Sequence, residues 1–354
     1  MYIVYLTFLV YNFVYLFQKY TKKSNGFILL TWFLLFIFIG TWAYFTDDYN
    51  AYVDIVDDAY INPLAKFHIE PIWVWLAEIV QGGIDKFRFI AFLTISILLF
   101  YITKSAELEL KYFIAYFTIF CSSETLCWVR QPITVCLSLL GVLLMCNKKY
   151  LLGIACLCFS CFFHKIGIIY VLLSPACFIP INKKLLWIYF FSLPLLYIIF
   201  SFTLNLSSEN STVIDLQTYI NGEGEYAGVN VIFKILSTIS TLFLFGFLIY
   251  TVYKFKEFTD KYVKVLIRYI LAIVVVSIFL FALPLSTGVM VKRLLYLGMM
   301  MMVIVWAKCI KGNLLQKRYI SIFIFLLIYV TIQLFYTIGG NYTRIGQMLL
   351  KMPL

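Results

Sequence analysis

Charged residues are scarce in this chain. Only 13% of its 354 residues are charged, and no polar linker divides the sequence. A soluble domain has about a quarter of its residues charged, so this scarcity excludes an ordinary water-soluble fold. The apolar residues, 63% of the total, need lipid as their outer surface. We therefore expect one integral membrane domain that takes up residues 1–354.

Acidic residues are fewer than basic ones, with 17 Asp and Glu against 28 Lys and Arg. A basic excess is typical of nucleic-acid binding, but here the Lys and Arg residues occur in small groups between apolar runs. The positive-inside rule produces this placement in membrane proteins. We infer membrane lipids as the surroundings and no nucleic-acid partner.

Residues that bind metals are also few or poorly spaced. The chain has two histidines, and its three cysteines within 156–161 lie in an apolar run, where Cys acts as a small hydrophobe. A cation held by Asp47, Asp48 and Asp57 would need the spacing of a known binding loop, which these residues lack. The sequence predicts no metal, no cofactor and no disulfide.

Long apolar runs are abundant instead, and each predicts a membrane-spanning α-helix. The first run is preceded by no basic segment and followed by no cleavage site, so we expect it to be retained. Segment 71–84 is a candidate re-entrant or interfacial helix. The prediction is an all-α, polytopic fold of about 12 transmembrane helices, at 2–18, 27–45, 87–103, 112–129, 131–147, 150–163, 166–181, 185–205, 230–253, 264–283, 293–307 and 319–337.

This number of spans places the basic groups between helices on one face, which the positive-inside rule assigns to the cytoplasm. Both termini and the two longest loops, 46–70 and 206–229, then lie on the extracytoplasmic side. Both loops are acidic, which agrees with the assignment. The basic groups are Lys19, Lys22 and Lys23; Lys104 and Lys111; Lys148 and Lys149; Lys183 and Lys184; Lys254, Lys256, Lys261 and Lys264; and Lys308, Lys311, Lys317 and Arg318.

Five residues place positive charge or a histidine on the outer side, against this rule. They are Arg130, His164 with Lys165, and Lys292 with Arg293. A charge at the centre of a bilayer costs about 2.5–3.5 kcal/mol, and less near the interface. We interpret the set as an anion site, because guanidinium groups match phosphate oxygens and histidine adds a donor or moves a proton.

Each of these residues also has a purely structural explanation. Arg130 alone can reach lipid headgroups or pair with Glu124, and His164 can cap or pack a helix. Lys165 and Lys292 can anchor their helices at the interface. A shared site explains all of them together, whereas the structural explanations require several coincidences on one face.

The first outer loop places carboxylates beside apolar helices. Asp47, Asp48 and Tyr52 lie near its start and Glu70 at its end. Asp48 and Glu70 abut apolar helices, where a charge has a cost, whereas a solvated surface explains the acids between them. A carboxylate at such a place can act as a general base or orient a hydroxyl group.

The order of these motifs resembles a known family. The motifs are Asp47-Asp48-Tyr49-x-x-Tyr52, Glu70-Pro71, Arg130-Gln131, Phe163-His164, Arg293 with Tyr296, and Phe335-Tyr336. Together they cover about residues 40–340 and resemble the EpsG-type exopolysaccharide polymerases. The family often has a small polar residue after the histidine, whereas Lys165 follows here. The resemblance implies a Wzy-type bacterial glycosyltransferase, similar to C-type (GT-C) membrane glycosyltransferases, that makes O-antigen or a related surface glycan.

The resemblance further implies a reaction on the periplasmic face of the bacterial cytoplasmic membrane. A growing glycan would move from one undecaprenyl pyrophosphate to the next lipid-linked repeat unit, and a co-polymerase would regulate chain length. We expect Arg130, Arg293 and His164, with Lys165 and Lys292, to bind the pyrophosphate. The expected catalytic residues are Glu70, Asp48 and His164, and those that contact the acceptor sugar are Asp47 and Tyr52.

Three other functions fit the same residues less well. A flippase for lipid-linked oligosaccharides would have related halves and charges at the membrane midplane, and no internal repeat is visible. An O-antigen ligase would use the same donor and similar cations, and only the family pattern favours a polymerase over it. A non-catalytic partner of a glycan synthase is the third alternative.

Overall fold

The computed structural model describes residues 26–43, 52–54, 56, 70–179 apart from 82, 231–282 and 288–311. It also describes short pieces at 7, 8, 12, 319–322, 324, 327 and 328. Every regular element in these residues is helical, and they contain no strand. Asp47, Asp48, the loop 206–229 and the predicted span 185–205 lie outside the described residues, as do most of 2–18 and 319–337.

The helices are apolar on most of their faces, and an α-helix satisfies its own backbone hydrogen bonds in lipid. In chain order they are α1 (Gly26–Thr41), α2 (Pro71–Val80), α3 (Ile84–Ser105), α4 (Leu110–Phe120), α5 (Ser122–Cys127), α6 (Arg130–Cys146), α7 (Tyr150–Phe163), α8 (Gly167–Leu173), α9 (Val231–Phe255), α10 (Lys261–Ala282) and α11 (Gly288–Cys309).

Most helices differ from the sequence-based boundaries by a few residues, and three differ more strongly. The predicted helix 112–129 is interrupted at Cys121 and forms α4 and α5. The predicted helix 166–181 continues after α8 as a 3-10 helix, Ser174–Phe178, because Pro175 has no backbone N–H to donate. The helix predicted at 293–307 begins earlier, at Gly288, so Lys292 and Arg293 lie in its second turn.

Within the described part of the chain, α3 is the one helix that is long and apolar enough to cross a membrane by length and composition. Shorter apolar helices accompany it, among them α4, α6 and α7. The total of about twelve spans and the likeness to GT-C enzymes stay predictions.

Helices α6 and α7 pack closely through small residues. A Cβ atom added at Gly141 would lie 2.7 Å from the backbone oxygen of Gly153, and one at Gly153 would lie 2.5 Å from Cγ of Met145. The hydroxyl of Ser138 donates to Ser160 Oγ across the same interface at 3.0 Å. Small residues of this kind let two helix backbones approach each other in a membrane. The interface holds the beginning of α6 beside the end of α7.

Several of the basic groups that the sequence predicts on the cytoplasmic face lie together at one end of the bundle. Asn147 Oδ1 accepts hydrogen bonds from Lys261 Nζ at 3.0 Å and from the hydroxyl of Tyr262 at 2.6 Å. Lys308 Nζ lies 3.2 Å from a carboxylate oxygen of Asp260 and donates to the backbone oxygen of Ala106 at 2.8 Å. Residues that the charge rule predicts on one face therefore do meet at one end of the bundle.

The close approach of α6 and α7 predicts a specific loss of stability. Gly141→Ala places a methyl group against the Gly153 carbonyl, and we expect it to lower the free energy of unfolding by about 1–3 kcal/mol. The matched control is Gly246→Ala in α9, where an added Cβ meets nothing within 4 Å. This control should be neutral or slightly stabilising, because Gly weakens a helix. Thermal unfolding of the two purified variants in detergent measures both effects. Equal melting temperatures would contradict the close packing of α6 against α7 at Gly141.

Candidate anion-binding site

The other end of the bundle contains a salt bridge between Arg130 and Glu70. Arg130 is the first residue of α6, and Glu70 immediately precedes α2, which begins with Pro71. Arg130 Nη1 lies 2.6 Å from Glu70 Oε2. The Arg130 guanidinium carbon is 5.8 Å from the ring centroid of Tyr52, whose hydroxyl accepts the Arg130 backbone N–H at 3.3 Å. Arg130 thus pairs with Glu70, not with Glu124.

Glu70 also holds the turn between α7 and α8. Its Oε1 accepts the backbone N–H of Lys165 at 3.3 Å. Trp73 lies three residues after Glu70, and its indole N–H donates to the backbone oxygen of Phe163 at 2.6 Å. Both carboxylate oxygens of Glu70 are therefore engaged, and the residue positions the cation and the turn together.

His164 lies in this turn, among the cations. Its Nδ1 accepts the backbone N–H of Ile166 at 3.2 Å, so the neutral ring carries its proton on Nε2. Loss of hydration, and then the positive charges of Arg293, Arg130 and Lys165, hold the pKa of His164 well below its ordinary value. At neutral pH the residue contributes an N–H donor and no charge.

Arg293 is connected to Arg130 through the intervening side chain of Gln131. The Gln131 amide donates to the backbone oxygen of Arg293 at 2.6 Å, and the hydroxyl of Tyr170 donates to the same oxygen at 2.8 Å. Gln131 and Tyr170 are both buried. Tyr269 of α10 donates to the backbone oxygen of Tyr170 at 2.6 Å, which fixes α8 against α10. These bonds hold the two guanidinium-bearing helices at one place.

Lys292 lies near enough to Glu124 for the two opposite charges to attract each other. Glu124 lies on the short helix α5, and its Oε2 is buried with no hydrogen-bond partner among the described residues. Beside it, the hydroxyl groups of Thr125 and Tyr296 are hydrogen-bonded at 2.6 Å. This attraction fits both roles expected for Lys292, that of a structural anchor and that of a cation of the site.

Arg88 is a cation that the sequence-based interpretation missed. It is fully buried at the beginning of α3. Its Nε donates to the backbone oxygen of Gly40 at 2.8 Å, and its Nη2 donates to that of Leu126 at 3.0 Å. Arg88 thereby joins the ends of α1 and α5 next to the site. The available signal was an Arg at the start of a long apolar run, between two Phe residues and shortly after Asp85 and Lys86.

The described structure also places the other residues expected to take part. Tyr52 is buried beneath Arg130, so it supports the cation and does not present its ring to solvent. The side chain of Lys165 is exposed, while its backbone is tied to Glu70. Asp47 and Asp48 lie outside the described residues, and their roles stay predictions. Gln131 and Tyr170, which connect Arg130 to Arg293, were not expected.

The arrangement has an excess of positive charge. The contacts described above involve four cations, Arg130, Lys165, Lys292 and Arg293, and two carboxylates, those of Glu70 and Glu124. Nε of Arg130 and Oε1 of Gln131 are buried without a hydrogen-bond partner in the part of the chain that is described. Buried polar atoms without a partner often mark a place where another molecule binds. An anion such as a phosphate group fits both the charge and the Arg130 donor.

Fold and site together define an all-helical protein, in the described residues, that is rich in apolar side chains and carries a cationic site at one end of its bundle. The chain belongs to the EpsG family, whose profile matches residues 25–348. This match confirms the resemblance seen in the motifs and places the chain in a family of membrane proteins. Family membership suggests a polymerase-like function in polysaccharide synthesis. No curated protein and no solved structure matches the chain.

The lowered pKa of His164 predicts a loss of stability on acidification. The unfolded chain binds a proton at this residue near its ordinary pKa of 6.5, whereas the folded ring resists protonation. Stability is therefore complete above this pH and is lost as the pH falls below it.

We expect His164→Gln to reduce the drop in melting temperature between about pH 7.5 and 5.5, because it removes this titration. Lys149→Gln, an exposed residue at the other end of the bundle, should keep the wild-type drop. An unchanged drop in His164→Gln would show that the ring is not held neutral.

Proposed function

We propose that this protein is a polymerase that joins undecaprenyl-pyrophosphate-linked repeat units into O-antigen or a related surface polysaccharide. The reaction would take place on the outer face of the bacterial cytoplasmic membrane. The observation that carries the proposal is the convergence of Arg130 at the start of α6, His164 in the turn after α7, and Arg293 in the second turn of α11. A pyrophosphate diester is the anion that a lipid-linked glycan presents near a membrane surface.

In this proposal the cations act on the leaving group. The bond between the anomeric carbon of the donor glycan and its pyrophosphate oxygen breaks, and negative charge grows on that oxygen. Arg130 and Arg293 stabilise this charge, and the Nε2–H of His164 donates to a phosphate oxygen. Lys165 and Lys292 add positive charge around the group. Hydrogen-bond donors and charges that are held in place before the reaction stabilise the growing negative charge better than mobile water does.

The acceptor step needs a group that takes a proton. A hydroxyl oxygen of the acceptor repeat unit forms the new bond to the anomeric carbon, and its proton moves to a carboxylate. Glu70 uses both of its oxygens to hold Arg130 and Lys165, which favours a positioning role for it. Asp48 is therefore our preferred base, with Asp47 contacting the acceptor sugar. Tyr52 would support Arg130, which it already contacts.

Removal of the Arg130 guanidinium tests the site. We expect Arg130→Ala to reduce polymerisation by about 100-fold or more, so that single-repeat product remains while long glycan chains disappear. Arg130→Lys should be intermediate, because a lysine keeps the charge but loses the two-pronged geometry. Lys148→Ala, exposed at the other end of the bundle, is the control. Glycan gels and immunoblots of membrane levels measure the outcome, and a full ladder from Arg130→Ala would contradict the site.

A deletion strain separates the polymerase from its rivals. Loss of a polymerase should leave lipid-linked single repeats in the outer leaflet and single repeats attached to the final acceptor. Loss of a flippase would accumulate the same lipid in the inner leaflet, and loss of a ligase would leave long glycan on undecaprenyl pyrophosphate. Leaflet-specific labelling of the lipid, together with gel analysis of the glycan, distinguishes these three results. Either of the last two patterns would overturn the proposal.

A further inference from the structure

A groove runs between α9 and α10, at the end of the bundle opposite the candidate anion-binding site. Its volume is about 610 Å³. Apolar side chains of both helices form most of its wall. They are Ile249 and Val252 from α9, and Ile267, Leu271 and Val274 from α10. The spacing of the α10 residues corresponds to successive turns, so they form a continuous apolar strip along the helix.

The same groove is basic where it meets the helix ends. Lys256, which follows α9, and Lys264 and Arg268 of α10 line it, together with one acid, Glu257. Lys264 and Arg268 are four residues apart and so lie on the same side of α10. None of the three cations has a carboxylate within ion-pair distance in the described part of the chain. The groove therefore joins a surplus of positive charge to an apolar strip.

We propose that this groove binds an anionic phospholipid. The phosphodiester headgroup would contact Lys256, Lys264 and Arg268, and an acyl chain would lie along the apolar strip. The combination of features favours this ligand. A free phosphate would leave the apolar wall without a contact, and an uncharged lipid would leave the three cations without a negative charge. Tyr253 is 68% exposed at the rim, which is typical of aromatic residues at the level of lipid headgroups. Basic pockets between membrane helices bind anionic headgroups in this way.

Native mass spectrometry of the purified full chain tests the proposal. The protein in detergent is given phosphatidylglycerol, or phosphatidylcholine with the same acyl chains, and the retained lipid is counted. We expect one phosphatidylglycerol to be retained at least about tenfold better than phosphatidylcholine, since each basic residue near a headgroup adds to the attraction. The double variant Lys264→Gln/Arg268→Gln should lose this preference.

A matched control separates the groove from general surface charge. Lys148→Gln/Lys254→Gln removes two exposed lysines at the same end of the bundle that do not line the groove. It should retain the lipid as the wild type does. A second variant, Leu271→Trp, narrows the apolar strip without a change in charge and should also reduce retention.

Three results would overturn the proposal. The first is equal retention of the two lipids by the wild-type chain. The second is equal loss in the groove variant and the control variant, with both folded by their melting temperatures. The third is complete displacement of phosphatidylglycerol by inorganic phosphate but not by chloride at the same ionic strength, which would identify a site for free anions. All three readouts are independent of polymerase activity.

Discussion

The candidate site depends on the salt bridge between Glu70 and Arg130. It joins the beginning of α2 to the beginning of α6 at 2.6 Å, and the second oxygen of Glu70 holds the turn that contains His164. An arginine in apolar surroundings is costly unless it is paired with an acid, and Glu70, whose side chain is 8% exposed, supplies that acid. The pair therefore keeps a cation at the site and compensates its charge with the carboxylate of Glu70.

A second set of bonds brings the late helix α11 to the same place. The backbone oxygen of Arg293 accepts from Gln131 and Tyr170, and neither bond uses the guanidinium group. The structure thus positions the backbone of Arg293 by bonds that do not involve its guanidinium group, and that group adds positive charge to the site. Neutral His164 fits this division of tasks, since it donates an N–H without adding a charge to an already cationic region.

Several parts of this picture could be predicted from the sequence. Arg130, His164 and Arg293 are exceptions to the positive-inside rule in the predicted topology, and the structure places them at one end of the bundle. Other parts could not be predicted. Gln131 and Tyr170 are ordinary polar residues until their partners are known. The pairing of Glu70 with Arg130, 60 residues away, likewise has no local signal, so the sequence suggested only a catalytic role for Glu70. The break at Cys121 involves no Gly or Pro, and its one local signal is the polar stretch that follows it, Ser122, Ser123, Glu124 and Thr125.

The sequence by itself indicated an all-helical fold, because long apolar runs with few charges favour helices, which satisfy their own backbone hydrogen bonds in lipid. It also determined which charges were unusual, since a cation outside the positive-inside pattern stands out by position alone. Only the tertiary structure decided which charges meet and which neutralise each other. Such pairings depend on distances between helices far apart in the chain, and they set whether a given carboxylate positions a neighbour or remains available for chemistry.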